Sequence, residues 1–171
     1  MCKTAVINID DEYGKRLAQE FSDIAVTYSA EGNADYHAEF IRMNATGCSY
    51  MLVNEREKTA CRVDMNMTGL YNVQNSLCAI AMVTALGFDM TECAKALSDL
   101  DGVDGRMNVV YRGDFTVITD YAHTDDALIK VLSTLKPLTK GRLICVFGAA
   151  GDRDKEKRPM MAKAAEDNAD I

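Results

Sequence analysis

The segment NVVYRGDFTVITDYAHTDDALIKVLSTLKPL, Asn108 to Leu138, decides the fold because the period of its apolar residues changes once along its length. Its first part reads as two strands around a tight turn at Gly113-Asp114. Further on, Ala127, Leu128, Val131, Leu132 and Leu135 return every three or four residues, which is the period of a helix with one buried face, and Pro137 stops it. A strand that runs directly into a helix is the unit of α/β folds. In open α/β sheets ligands bind at the carboxyl ends of the strands, and Asp120, Tyr121, Ala122, His123 and Thr124 fall at such an end.

Downstream, Leu143–Phe147 is expected to be the next strand and Lys155 onward the next helix. The glycine turn between them, FGAAGDRD, invites a phosphate-cradle reading. Its spacing fits neither G-x-x-x-x-G-K-[ST] nor G-x-G-x-x-G, and the Asp-Arg-Asp run puts carboxylates where a phosphate would sit. The final residues Ala169, Asp170 and Ile171 read as the opening of a further strand, so the chain is expected to be part of a longer one.

Upstream, DGVDGR (Asp101–Arg106) holds two glycines and two acids in six residues and is the best linker candidate. Before it, KTAVINI and DIAVTYS read as strands flanking a helix in DDEYGKRLAQEF, with Leu17, Ala18 and Phe21 as its buried face. Three further strands follow in ADYHAEFIRMN, CSYMLVNE and KTACRVDMNM. In the last, Cys61, Val63, Met65 and Met67 alternate with Arg62, Asp64 and Asn66, the pattern of a half-buried antiparallel strand. From Asn72 the period is helical, with Leu77, Ile80, Ala81 and Thr84 on one face and Gly87 as its stop. Asp89 with Glu92 resembles a capping box that opens a second helix with Ala94, Leu97 and Leu100 inward.

The 171 residues are 48% hydrophobic and 26% charged, a globular composition, and the net charge of −7 with scattered basic residues argues against nucleic acid as a partner. No window holds the roughly 18 apolar residues of a membrane helix. Six cysteines lack C-x-x-C spacing, so reduced thiols in a cytosolic chain are expected rather than disulfides or a metal site.

Read by themselves, the candidate site residues leave alternatives open. Asp120 at a strand end suits the two hydroxyls of a ribose, and a helix N-terminus nearby favours phosphate, yet Asp120 and Thr124 also fit as helix caps. Asn72 and Asn75 each offer a donor and an acceptor, which suits an adenine edge as well as a cap. Arg106 follows the linker, where it can reach a ligand or serve as a solvated hinge residue.

Taken together, GLYNVQNSLCAIAMVTALG, LDGVDGRM, VITDYAHTDDAL and GRLICVFGAAGDRDKEKRP, with VINIDDEYGKRLA before them, strongly resemble the Mur ligase family of bacterial peptidoglycan synthesis. Among its members they are most similar to the ligases that add the third amino acid. The resemblance implies an α/β fold: the end of a central ATP-binding domain, a mixed sheet with helices, over 1–105, and the beginning of a Rossmann-like C-terminal domain over 106–171. It implies a cytoplasmic ATP-dependent ligase, with Mg2+ as cofactor, whose substrates are ATP, a UDP-MurNAc-dipeptide and a diamino acid, either meso-diaminopimelate or L-lysine. Carried onto this sequence, Asn72 and Asn75 would contact adenine, and Arg106 and Asp120 the ribose. His123 would lie near the phosphates, and Arg153 would bind a carboxylate of the incoming amino acid through its guanidinium fork. Asp152, Asp154, Lys155, Lys157 and Arg158 would brace Arg153, or form a solvated charge cluster at a helix start.

The chain departs from the family pattern at Asp104, Asp125 and Ala149-Ala150, and it contains no G-K-[ST] phosphate loop. It is therefore expected to be inactive by itself, with Mg2+ ligands upstream. The parent enzyme is expected to be monomeric, and the chain alone to self-associate or be partly disordered. Alternatives are another ligase of the superfamily, of folylpolyglutamate or cyanophycin synthetase type, and a non-catalytic nucleotide-binding module.

Overall fold

The computed structural model describes residues 2–44, 47–149 and 154–171. The chain folds as two units, Met1–Asp101 and Gly102–Ile171, which part at the start of the expected linker.

The first unit is built on one five-stranded sheet in the order β1-β2-β3-β4-β5, that is Ala5–Asn8, Ala25–Ser29, Tyr36–Asn44, Gly47–Asn54 and Thr59–Met65. β1 and β2 are parallel, joined by helix α1 (Glu12–Glu20). β3, β4 and β5 form an antiparallel meander. The two halves meet where β3 runs parallel to β2 for only two residue pairs, Tyr28 with Tyr36 and Ser29 with His37. So short an overlap needs no crossover helix. Asp35 fixes it by gripping Thr27, its carboxylate accepting from the Thr27 N–H (2.8 Å) and its own N–H donating to Thr27 Oγ1 (3.0 Å).

Along β5 the expected alternation holds, with Val63 and Met65 buried and Arg62 and Asp64 exposed. Helix α2 (Leu70–Ala85) covers the sheet with Val73, Leu77, Ile80 and Ala81, and meets Tyr50, Leu52 and Val63 in one apolar core. Each such large side chain contributes roughly 1.5–3 kcal/mol by leaving water. Gly87, at φ +94°, follows the end of α2 and its N–H bonds to Thr84 O, the stop the sequence promised. Asp89 caps α3 (Met90–Ser98), accepting from the N–H groups of Thr91 (2.8 Å) and Glu92 (2.9 Å). Ala94 is buried and Leu97 packs on the core, but Leu100 lies beyond the helix and is exposed.

α1 differs from the expectation. Leu17 and Phe21 are each 45% exposed, and the one buried residue of the helix is Gly14. A Cβ at Gly14 would stand 1.7 Å from the carbonyl oxygen of Asn8, so close approach of backbones, rather than an apolar stripe, seats this helix on β1.

The second unit holds the hairpin β6 (Asn108–Arg112) and β7 (Thr116–Thr119), then α4 (Asp125–Leu135), a 3-10 turn at Lys136–Leu138 and α5 (Lys157–Asn168). Leu128 of α4 packs with Met161 and Ala164 of α5. Leu143–Phe147 is not a strand. Among the described residues its backbone bonds only to the last ones, Cys145 N–H to Ile171 O (2.8 Å) and Asp170 N–H to Leu143 O (2.8 Å), while Val146 is 93% exposed. An apolar run becomes a parallel strand when neighbours pair it and helices cover it, and among the described residues this one has only the start of such a ladder.

Candidate functional site

In the second unit the expected residues lie where β7 gives way to α4. Asp120 is half-buried and each of its oxygens accepts a backbone N–H, from Met107 at 3.0 Å and from Ala122 at 2.8 Å. The Tyr121 N–H donates to Gly105 O (2.8 Å), so the loop is stitched to the end of the linker on both sides of Asp120. Met107 is 5% exposed and sits in the left-handed region at φ +47°, a conformation that costs a residue with a Cβ about 1 kcal/mol or more. Asp120 holds it there. An ionised carboxylate offers about four acceptor positions, so two remain after these bonds.

The cap of α4 is Thr124 alone, whose Oγ1 accepts from the Ala127 N–H (3.2 Å); Asp120 does not cap the helix. Arg106 is exposed, its guanidinium carbon 5.6 Å from the centre of the Tyr121 ring, a cation–π distance. Tyr121 meets His123 edge-on at 5.2 Å. His123 Nδ1 lies 2.9 Å from Tyr121 O; because a carbonyl only accepts, Nδ1 carries the hydrogen and Nε2 is left as the group for a ligand. Lys157, in the first turn of α5, donates to His123 O at 3.3 Å and so ties the two loops of this unit together. Asp154 accepts from the N–H groups of Glu156 (3.1 Å) and Lys157 (3.3 Å) in the turn that leads into α5, whose N-cap position is Glu156. Arg153 and Asp152 lie outside the described residues.

In the first unit Asn72 and Asn75 stand on the opening turns of α2. Asn72 is buried, donates to Thr68 O (2.8 Å) and accepts from Asn75 Nδ2 (3.4 Å). Asn75 is exposed, so of the two it is the one with an amide for a ligand. Sequence reasoning missed what lies between them. Gln74 Nε2 donates to Asp10 Oδ2 at 2.6 Å, and Asp10 also accepts from the Ser29 hydroxyl and from the N–H groups of Ala30 (3.2 Å) and Glu31 (3.4 Å). The paired acids at the end of VINIDD were the available signal. Burial acts to raise the Asp10 pKa, but the four bonds outweigh it and hold the carboxyl below its ordinary 3.8.

A cavity of about 390 Å3 opens on β3, β4 and β5, lined in part by Arg42, Arg62 and Asp64, and holds none of the expected residues. Among the described residues no group of three or more His, Cys, Asp or Glu could hold a metal ion, and no helix is long and apolar enough to cross a membrane.

Two family models match the chain: the Mur ligase middle domain over residues 1–83 and the Mur ligase, glutamate ligase domain over residues 105–171. The UDP-N-acetylmuramoyl-L-alanyl-D-glutamate--2,6-diaminopimelate ligase of Clostridium botulinum is 38% identical over 99% of the chain and 35% of its own length. The enzyme of the same name from Bacillus licheniformis is 43% identical over 98% of the chain and 34% of its own length. The chain thus spans about a third of the curated relatives it matches. A solved structure of a ligase of that name superposes with a TM-score of 0.66 at 37% identity, over 98% of this chain and 35% of that one. A solved FPGS-AMPPCP-folate complex gives 0.76 over 98% of this chain and 41% of that one, at 14% identity, a likeness of fold alone.

Proposed function

Because the chain belongs to the Mur ligase family, we propose that it is the adenosine-binding and amino-acid-binding portion of a bacterial cytoplasmic ligase that adds meso-diaminopimelate to UDP-MurNAc-L-Ala-D-Glu. The observation that carries this reading is the identity of 38% and 43% with two diaminopimelate ligases over 99% and 98% of the chain, both units included. The names of those relatives favour diaminopimelate over lysine. The likeness to the folate enzyme complex, at 14% identity, supports the shared fold and not folate chemistry.

In this reaction ATP phosphorylates the dipeptide carboxylate, and the amine of the incoming amino acid attacks the acyl phosphate, giving the amide, ADP, phosphate and a proton. The family resemblance assigns residues in each unit of this chain to the adenosine end of that substrate. Asn75 offers its exposed amide to adenine, while Asn72, its own amide committed to Thr68 and Asn75, holds the Asn75 side chain. Asp120 accepts from ribose hydroxyls with the lone pairs its two backbone bonds leave open. Arg106, whose guanidinium lies over the Tyr121 ring, is assigned to the ribose with Asp120, and His123 offers Nε2 to the phosphates. Arg153 pairs with a carboxylate of diaminopimelate. The sequence has no G-K-[ST] loop for the transferring phosphate, so that loop and the Mg2+ ligands are assigned to the remainder of the enzyme.

The test is amide formation from UDP-MurNAc-L-Ala-D-Glu, meso-diaminopimelate and ATP, followed by chromatography of the nucleotide-sugar product. The full enzyme that contains this chain is expected to make the tripeptide and to lose affinity for ATP on Asp120→Asn. A full enzyme that uses lysine instead overturns the choice of amino acid. Amide formation by these 171 residues alone overturns the assignment of the phosphate loop elsewhere.

A further inference from the structure

Asp10 follows β1 at the carboxyl end of two parallel strands, the edge where open α/β sheets gather their functional groups. Its four partners are not equivalent. Ser29, Ala30 and Glu31 belong to the end of β2 and the turn after it, and they suffice to order that turn. The fourth, Gln74, lies 64 residues away on α2.

Gln74 is adjacent to Asn75. Helix α2 follows Gly69 with no side-chain cap, so its first turns take their orientation from the packing of Val73 and Leu77 on the core and from bonds to the rest of the unit. Asn72 bonds locally, to Thr68 O and to Asn75 Nδ2, which steadies the Asn75 side chain but does not tie the turn to another element. Besides the apolar packing of Val73 and Leu77, two hydrogen bonds tie these turns to other elements: Ser76 with Tyr50 of β4 (2.7 Å) and Gln74 with Asp10, just past β1 (2.6 Å). An ionised carboxylate only accepts, so the Gln74 amide nitrogen is the atom that must face it, and the side chain has one orientation. Residues one position apart on a helix rotate together about its axis. Any twist of the helix start that follows loss of this bond therefore carries Asn75 through the same angle.

We infer that Asp10 and Gln74 are a positioning pair that fixes the rotation of α2 and thereby the aim of Asn75 at the purine base. The inference rests on the reading of Asn75 as an adenine contact, which the experiment tests separately. Neither residue touches the reacting atoms.

The experiment uses the full ligase and compares ATP with ITP, which differ at the purine 6-position where an amide would discriminate. Gln74→Met removes the donor at similar length, and Asp10→Asn removes the ionised acceptor. Each is expected to raise KM for ATP about tenfold, the scale of one hydrogen bond to a charged group, and to reduce the ATP-over-ITP preference by a similar factor, with kcat falling less. The exchanged pair Asp10→Asn with Gln74→Glu restores an amide-to-carboxylate bond with donor and acceptor reversed, and should recover most of the preference. If Gln74→Met lowers only the melting temperature and kcat while the base preference stays, the pair is merely structural and the inference is overturned. The control is Asn75→Ala. If it leaves the preference intact, the reading of Asn75 fails and the inference with it. If it abolishes the preference while both single variants keep theirs, only the inference fails.

Discussion

Ser76→Ala should destabilise the first unit more than Tyr50→Phe, although the two side chains share one hydrogen bond. Tyr50 is 2% exposed, and its hydroxyl lies 2.7 Å from Ser76 Oγ, which in turn donates to Val73 O at 2.7 Å. A serine hydroxyl has one hydrogen, and here it goes to Val73, so the phenol must be the donor to Ser76. Burial pushes the phenol pKa well above its usual range, which keeps that hydrogen in place. Removing the phenol oxygen leaves Ser76 still bonded to Val73, at a cost of about 0.5–1.5 kcal/mol. Removing the serine strands a buried O–H without an acceptor, at about 1–3 kcal/mol. In the double variant the phenol is already gone, so the total should fall short of the sum by about 1 kcal/mol, the coupling expected of residues in contact. Urea unfolding followed by far-UV circular dichroism measures all four corners of the cycle; the chain has no tryptophan to report by fluorescence. Additive costs, or a Ser76→Ala cost below that of Tyr50→Phe, would show that the phenol finds another partner and would refute the reasoning.

Gly14→Ala should lower stability by about 2 kcal/mol despite the better helix propensity of alanine, because the new methyl meets the Asn8 carbonyl oxygen at 1.7 Å and backbone must move; an unchanged melting temperature would refute it. Asp89→Ala should cost about 1 kcal/mol through loss of the α3 cap, and Asp89→Ser should restore most of it in the same melting assay. Asp10 has a depressed carboxyl pKa, so its contribution is present above its ordinary 3.8 and is lost as pH falls through the lower folded value. The stability gap between the parent chain and Asp10→Asn should therefore narrow in acid, and urea midpoints that keep the same gap at pH 7 and about pH 3 would exclude this. The chain alone should self-associate through apolar residues such as Val146 and Ile144, 93% and 55% exposed; light scattering that shows a monomer at high concentration would count against it.

Local signals in the sequence were legible wherever the deciding contact was itself local. The alternation in β5, the Gly87 stop and the Asp89 cap each involve residues within a few positions of one another, and each stands in the structure as read. Periodicity reports that a helix has an apolar face but not that anything covers it, which is why Leu17 and Phe21 misled and Gly14 did not stand out. Likewise the apolar content of Leu143–Phe147 speaks of burial in a sheet, whereas a strand exists only through its neighbours. The parallel join of β2 to β3 turns on Asp35 and Thr27, a pair with no pattern to announce it. At the site, the position of Asp120 at a strand end was readable, but its hold on the left-handed Met107 was not, since those residues are 13 apart. The paired acids of VINIDD hinted at a role for Asp10, but its bond to Gln74, 64 residues away in sequence, could not be read from either segment alone.

The sheet of the first unit joins two kinds of chain closure, and this orders its assembly in time. β3, β4 and β5 are antiparallel neighbours close together in sequence, and such hairpins close in roughly microseconds. β1 must wait for a crossover through α1, and Asp10 for the arrival of a helix 64 positions away, so these non-local contacts bear the larger loop-closure entropy. Substitutions in the β4–β5 hairpin are thus set to slow folding, while those at Asp10 or Gln74 chiefly hasten unfolding. The contact that aims α2 is therefore expected to form after the hairpins.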